Sequence, residues 1–567
     1  MLPWRTMAAP ATQAAKNVAR RSSGVGLISS GAGQGAGFRN KSSLAFATVD
    51  PEAMSGSNPH TVKNLLGGRW VGTSEVDTMP DPLNGEPFIK VPATTAAEAE
   101  AFVSSLTSCP KTGLHNPFKS PERYLAYGSA TARAAALMAE PEVERFFTRL
   151  IMRVAPKSYA QANGEVVVTR RFLENFSGDN VRMLARSFNV PGDHAGQASS
   201  GYRWPFGPVA IVSPFNFPLE IPVLQLMGAL YMGNKVVFKT DSKVSAVMEQ
   251  ALRLFHHCGM PTEDLDFINC HGDVMHGVLT SSQPRVTQFT GSSKVAEILV
   301  KALDGKVKVE DAGFDWKILG PDVLEEDYVA HTCDQDAYAY SGQKCSAQSI
   351  LFVHENWSKA GLLDRLKTLA SRRNLDELTV GPVLSVTTER CMEHIDSLLK
   401  ISGAKVLFGG QPLVSEGSSK IPDVYGCWEP TAVFVPLTEM LRPENFDLCT
   451  TEIFGPFQVV TEYSESELDM VLDACERMNN HLTAAVVSND VGFQRKVLSQ
   501  TVNGTTYCGI RARTTGAPQN HWFGPAGDPR AAGIGTIEAI RMVWSCHREV
   551  IMDEGPVPEG WSLPAAT

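Results

Sequence analysis

Cys345 sits in the run SGQKCS, residues 341–346. Gly342 lets the backbone approach a ligand closely, and the adjacent Lys344 can favour a thiolate electrostatically. A thiol nucleophile that becomes acylated needs a base to activate the water that releases it. Glu310 ends the run 306–309 and precedes a small-residue turn at 311–313, which places a carboxylate to face a cleft. The oxyanion that such an attack creates needs rigidly held donors. Asn216 lies in SPFNFP, 213–218, where two prolines fix the backbone; with the Cys345 backbone N–H it would complete an oxyanion hole. A second set of residues suits a dinucleotide. FTGSS, 289–293, opens a helix, and helix N-terminal amides favour a pyrophosphate. Lys239 ends a strand and can reach ribose hydroxyls, and Glu452 in TEIFGP offers a carboxylate to a second ribose. Singly, each has an ordinary reading. An isolated cysteine is more often a buried apolar residue, Ser292 fits a helix N-cap, Asn216 fits a turn or cap, and the three charged residues fit a solvated surface.

The elements that must position these residues follow from periodicity. The segment 64–71 reads as a hairpin, and 98–106 and 123–138 as surface helices. Short apolar runs at 209–213, 235–239, 266–269 and 286–290 alternate with helical stretches at 217–232, 244–258, 273–280 and 294–303. That rhythm predicts a parallel sheet with helices on both faces. A second α/β block follows, helical at 328–340 and 362–373 with a strand at 349–353, and alternates to about residue 498. Ligands of such sheets bind beyond the carboxyl ends of the strands, so the residues after Ser213, Lys239 and Thr290 should line a pocket.

The chain has 567 residues and a formal net charge of −10, a poor match to nucleic acid or an anionic membrane as partner. Its most apolar stretch, 207–233, contains Glu220 and four prolines, which excludes a membrane span there. Eleven cysteines without a CxxC pair read as free thiols in a reducing compartment, with no metal site expected. Residues 1–49 carry six basic and no acidic side chains and are rich in Ala, Ser and Gly, the composition of an organellar transit peptide, with the mitochondrial matrix favoured. Residues 7–21 can form a positively charged amphipathic helix. Without this leader, 45 basic residues face 61 acidic ones. Within it, GAGQGA at 31–36 mimics a dinucleotide fingerprint, but with no strand before it and no helix after it the motif cannot work.

Together, PFNFP (214–218), GNKVVFK (233–239), FTGSS (289–293), VEDAG (309–313), SGQKCSA (341–347) and EIFGP (452–456) resemble the aldehyde dehydrogenase superfamily over nearly everything after about residue 60. Longer strings at 201–235, 311–322, 334–352 and 511–530 are similar to the branch of plant mitochondrial enzymes acting on glutamate γ-semialdehyde. The resemblance implies an α/β fold: a Rossmann-type cofactor domain over 50–178 and 204–312, a catalytic domain over 313–525, and a small β oligomerisation arm with the C-terminal tail over 179–203 and 526–567. It implies NAD-dependent oxidation of the semialdehyde, the open form of pyrroline-5-carboxylate, to glutamate as the second step of proline catabolism, by a homo-oligomer. Cys345 would attack the aldehyde, Asn216 would hold the oxyanion and Glu310 would activate water. The cofactor would lie on Ser213, Pro214, Phe215, Lys239, Gly291, Ser292, Glu452 and Phe454. Ser346 and the backbone amides of Gly516 and Ala517 would hold the substrate carboxylate, as an uncharged nest suits an anion.

The sequence also departs from the superfamily's pattern. Ser242 stands where a ribose-binding glutamate is common, which removes one force against a 2′-phosphate; Asp311-Ala312 replaces Leu-Gly after the base, and Ala296 replaces a glycine. Another ω-semialdehyde dehydrogenase, a cysteine acyl-hydrolase and a non-catalytic binding protein are the alternative readings. The hydrolase has no use for FTGSS, Lys239 and EIFGP, and the binding protein none for the nucleophile and base.

Overall fold

The valine-rich runs form strands because a parallel sheet covered on both faces buries every side chain in turn. Val209, Val236, Val237, Val307 and Val309 are all buried. Five parallel strands lie in the order Val307–Glu310, Val286–Thr290, Pro208–Ser213, Lys235–Thr240, Leu265–Phe267. The antiparallel hairpin Asn64–Leu66 and Arg69–Val71 extends the last edge. These elements belong to the computed structural model of the chain, which describes residues 44–311, 313–413, 421–479, 481–516 and 521–567. The helix expected over 7–21, the transit peptide up to residue 43 and Ala517 lie outside the described residues.

The chain winds from Pro208–Ser213 toward one edge and then returns to its other side at Val286–Thr290. The order reverses between these two strands, and the crevice for a ligand opens beyond their carboxyl ends, at Ser213 and Thr290. The helices Glu220–Met232, Ser245–His257, Gly272–Ser282 and Ser293–Ala302 match the sequence expectation to within a few residues. Glu220–Met232 is apolar all round and buried along its length after Glu220, which makes it the central pillar beneath the crevice. It stops at Gly233, whose φ of +98° places it in the left-handed region, the usual glycine helix stop. Arg123–Met138, read as a surface helix, instead buries one whole face, from Tyr124 and Tyr127 to Met138. Among the described residues no helix is long and apolar enough to cross a membrane.

A second seven-stranded sheet has the order Lys405–Phe408, Thr431–Phe434, Phe457–Tyr463, Gln348–His354, Asp315–Leu319, Thr483–Val487, Thr505–Cys508. All its pairs are parallel except the first. Buried apolar clusters cover both of its faces. Only four residues separate Glu310, at the carboxyl end of the first sheet, from Asp315, at the amino end of the second. The two ends therefore face one cleft.

A third, three-stranded sheet projects Gln197–Pro205 between Asn189–Pro191 and the C-terminal strand Ser545–Asp553, all antiparallel. The long pair runs for nine consecutive residues. Ahead of that strand, Ile537–Trp544 packs on Glu220–Met232.

The helix expected over 328–340 ends at Tyr338. Tyr340, Ser341 and Gly342 take φ of +56°, +53° and +65°, a run of left-handed residues that no α-helix can continue. Gly342 is required there for a second reason: a Cβ would lie 2.0 Å from the Gly455 carbonyl oxygen. Gly342→Ala is therefore expected to destabilise the protein by about 1–3 kcal/mol through overpacking alone, visible as a lowered urea midpoint. The loop carrying Cys345 should be displaced in a crystal structure of that variant.

Candidate active site

Cys345 lies at the waist between two cavities. The larger, about 450 Å³, opens beyond the carboxyl ends of the first sheet. Its lining contains Ser213, Pro214, Phe215, Asn216, Lys239, Gly291, Ser292, Glu310, Glu452 and Phe454. Residues scattered from 213 to 454 thus meet because four strand ends and the segment 451–456 converge there. The smaller cavity, about 280 Å³, is lined by Cys345, Ser346 and Gly516 together with Phe217, Glu220, Lys344, Arg513 and Phe523.

The Glu310 carboxylate is buried and neither oxygen accepts a conventional hydrogen bond; the polar group it faces is the Cys345 sulfur. Burial pushes Glu310 up to about 7, against the lowering contact with Cys345. Burial first, and then the Glu310 charge, pushes the Cys345 thiol well above its ordinary value. The thiolate expected from Lys344 is therefore not the resting form. Lys344 is itself buried, and burial takes its ammonium down to about 8. Gly313 carries no side chain because a Cβ would lie 2.4 Å from the Cys345 carbonyl oxygen, so the segment after Glu310 passes directly against the loop carrying Cys345.

Asn216 is buried and donates one Nδ2 hydrogen to the Gln343 carbonyl at 3.2 Å. A carboxamide has a second N–H, which is available to an oxygen on the substrate carbon. The backbone carbonyl of Asn216 accepts from Lys157 Nζ at 3.0 Å. Lys157 also donates to Glu165 at 2.8 Å, both side chains are fully out of solvent, and the ammonium sits 3.9 Å from the centroid of the Tyr340 ring. The other Glu165 oxygen accepts the backbone N–H groups of Leu219 and Glu220. One buried ion pair thus joins the asparagine loop, the first turn of Glu220–Met232 and the strained loop ahead of Cys345.

Three further residues were not singled out in the sequence. Lys157 precedes a Ser158 helix cap and gives no local signal of a partner eight residues on. Asp241 lines the larger cavity one position before Ser242, and its carboxylate accepts from the Lys243 backbone N–H at 2.9 Å and pairs with Lys243 Nζ at 3.1 Å. Burial opposes its ionisation, but Lys243 and Lys239 hold it below the usual carboxylate range. Asp336 anchors the loop before Gly516: it accepts from Lys317 Nζ at 2.8 Å, Thr514 N at 2.7 Å and Thr515 Oγ1 at 3.1 Å.

The larger cavity fits a dinucleotide on its own chemistry. Ser292 occupies the N-cap position of Ser293–Ala302 without its side chain capping that helix, so hydroxyl and amides both remain for an anion. Ser213 Oγ is buried without a hydrogen-bond partner. Among the described residues Lys239 Nζ makes a single hydrogen bond, to the Thr240 carbonyl at 3.1 Å. Phe215 and Phe454 meet edge to face at 6.0 Å and wall one side, and Phe454 holds a left-handed φ of +53°, a strain of the kind stored at ligand sites.

The profile of the aldehyde dehydrogenase family matches residues 70–536, and the chain belongs to that family. It is similar to the probable aldehyde dehydrogenase of Linum usitatissimum, 65% identical over 93% of this chain and 95% of the relative. It is 64% identical to the delta-1-pyrroline-5-carboxylate dehydrogenase 12A1, mitochondrial, of Arabidopsis thaliana, over 93% of this chain and 94% of that protein. Among solved structures, succinate-semialdehyde dehydrogenase from Burkholderia pseudomallei shares the fold, with a TM-score of 0.75 at 19% identity over 89% of this chain and all of that one.

Lys157→Met leaves Glu165 charged and unpaired in the interior, at a cost of about 3–5 kcal/mol. The double variant Lys157→Met/Glu165→Gln keeps the acceptor for Leu219 and Glu220 and is expected to recover at least half of that loss in urea denaturation.

Proposed function

We propose that the chain oxidises L-glutamate γ-semialdehyde, the open form of Δ1-pyrroline-5-carboxylate, to L-glutamate with NAD⁺ in the mitochondrial matrix, the second step of proline catabolism. The observation that carries this reading is the pair of cavities meeting at Cys345, one fitted to a dinucleotide and the other holding charges of both signs for a zwitterionic aldehyde. The near-full-length likeness to the Arabidopsis thaliana enzyme supports the same substrate and compartment, as does the acid-free basic leader.

In this mechanism the Cys345 sulfur adds to the aldehyde carbon to give a thiohemiacetal, and the thiol proton leaves through Glu310 or water. The free Asn216 N–H and the Cys345 amide hold the oxyanion. The dinucleotide, when bound, is the two-electron acceptor that turns the thiohemiacetal into a thioester. Glu310 then takes a proton from water as it attacks the thioester carbon, and sulfur leaves. Burial of Glu310 tunes it to this role, since a base is most effective when its pKa lies near the working pH.

The cofactor would rest on Ser213, Pro214, Phe215, Lys239, Gly291, Ser292, Glu452 and Phe454, and the substrate carboxylate on Ser346 and the amides of Gly516 and Ala517. Asp241 supports NAD over NADP, since a carboxylate beside Lys239 repels a 2′-phosphate. The parts played by 50–178 with 204–312, 313–525 and the arm follow the family pattern. The arm exposes Val190, Ile551 and Met552, apolar surface suited to a second copy of the chain.

Cys345→Ala is expected to abolish NADH formation while retaining NAD⁺ binding by fluorescence titration. Glu310→Gln should release about one NADH per site and then slow by about 10²–10⁴-fold. The wild-type rate should rise with pH through about 7, as the buried Glu310 loses its proton, and level off above; that limb should vanish in the glutamine variant. Asp241→Ala should raise kcat/KM for NADP⁺ relative to NAD⁺ at least about tenfold.

A further inference from the structure

The smaller cavity holds one charged group that nothing above uses. Glu220 is the first residue of Glu220–Met232 and lies four positions after Asn216. Its carboxylate lines the cavity with Cys345, Ser346 and Gly516 and accepts no hydrogen bond from a described residue. The nearby carboxylate of Glu165 cannot receive a further cation, since Lys157 and two backbone N–H groups already occupy its oxygens. Burial and the Glu165 charge push Glu220 up to about 8, against the lowering charges of Lys157 and Lys344, so a cation brought against it would favour its ionised form. From the second sheet's side Lys344 and Arg513 enter the same cavity; Arg513 Nε lies 3.9 Å from the Asp336 carboxylate, which Lys317, Thr514 and Thr515 already occupy, and makes no hydrogen bond among the described residues. The cavity therefore has cationic groups beside the loop that ends at Gly516 and, at the foot of the helix, a carboxyl that accepts no hydrogen bond from the described residues.

We propose that Glu220 binds the protonated amine of the substrate, while Arg513 and Lys344 attract its carboxylate, so that the site selects aldehydes bearing both charges over aldehydes bearing a carboxylate alone. The assignment rests on the function proposed above. An ammonium filling the Glu220 position gains a charge-assisted hydrogen bond inside a cavity screened from water. An aldehyde lacking the amine leaves that carboxylate desolvated and unpaired, a penalty that discriminates strongly.

The test compares kcat/KM for glutamate γ-semialdehyde and for succinic semialdehyde in the purified enzyme and in its Glu220→Gln and Glu220→Asp variants. L-glutamate and glutarate serve as product-side competitors. Wild type should favour the amino aldehyde. Glu220→Gln should cut that preference at least about tenfold, chiefly through KM for the amino aldehyde, and should weaken inhibition by L-glutamate more than by glutarate. Glu220→Asp should restore part of the preference. A preference unchanged in Glu220→Gln, with wild type still turning over glutamate γ-semialdehyde, overturns the role of Glu220 and leaves the proposed function standing. Equal loss toward both substrates assigns Glu220 a structural role and overturns the proposal as well. A wild-type enzyme that oxidises succinic semialdehyde and not the amino aldehyde overturns the proposed function and this inference together.

Discussion

A lysine ammonium and a glutamate carboxylate, both sealed from water, hold the active site together. Replacing such a pair with apolar side chains is often neutral or stabilising, whereas breaking it is costly. Its presence is therefore better explained by geometry than by net stability. Lys157 and Glu165 spend their remaining hydrogen bonds on three backbone groups, those of Asn216, Leu219 and Glu220, and the ammonium lies against Tyr340. The helix Tyr159–Asn175 thereby dictates both where the asparagine amide points and how the loop before Cys345 is supported. Apolar side chains of the same volume would fill the space without directing those amides and that carbonyl.

The cleft between the sheets buries several carboxyls, and that has an electrostatic result. Glu310, Glu452 and Asp315 all lie near the thiol, and burial pushes each above the usual carboxylate range, Glu310 to about 7 and Glu452 to about 8. Burial thus disfavours the charged form of each of these groups. Carboxyls brought together from positions 310, 315 and 452 are therefore less readily ionised in place than free side chains. This lets an anionic dinucleotide and a sulfur nucleophile approach the same carboxyls.

The sequence made the strand and helix alternation of the first sheet readable because both faces are covered, so each strand has an uninterrupted apolar core such as VVF at 236–238. It made Cys345, Glu310 and Asn216 readable because glycines and prolines flank them for steric reasons that survive as motifs. It did not reveal Lys157, Asp241 or Arg513. Their meaning depends on partners brought together by the fold, and a lone charged residue looks the same whether solvated or buried. The end of the helix at Tyr338 was equally hidden: nothing in AYAYSG forbids helix until Gly455 arrives from over a hundred residues away and demands the left-handed turn. Arg123–Met138 misleads for a related reason, since its alanine-rich pattern does not announce the face that Tyr124 and Tyr127 bury.

The nine-residue ladder between Gln197–Pro205 and Ser545–Asp553 joins segments about 350 positions apart. Pairing over such a span is slow and comes late, and during synthesis it has to wait for the ribosome to release the C-terminus. Both sheets that build the cleft can assemble before that moment, but the arm cannot. Without residues 545–553, Gln197–Pro205 has no partner on that side and its edge is left bare.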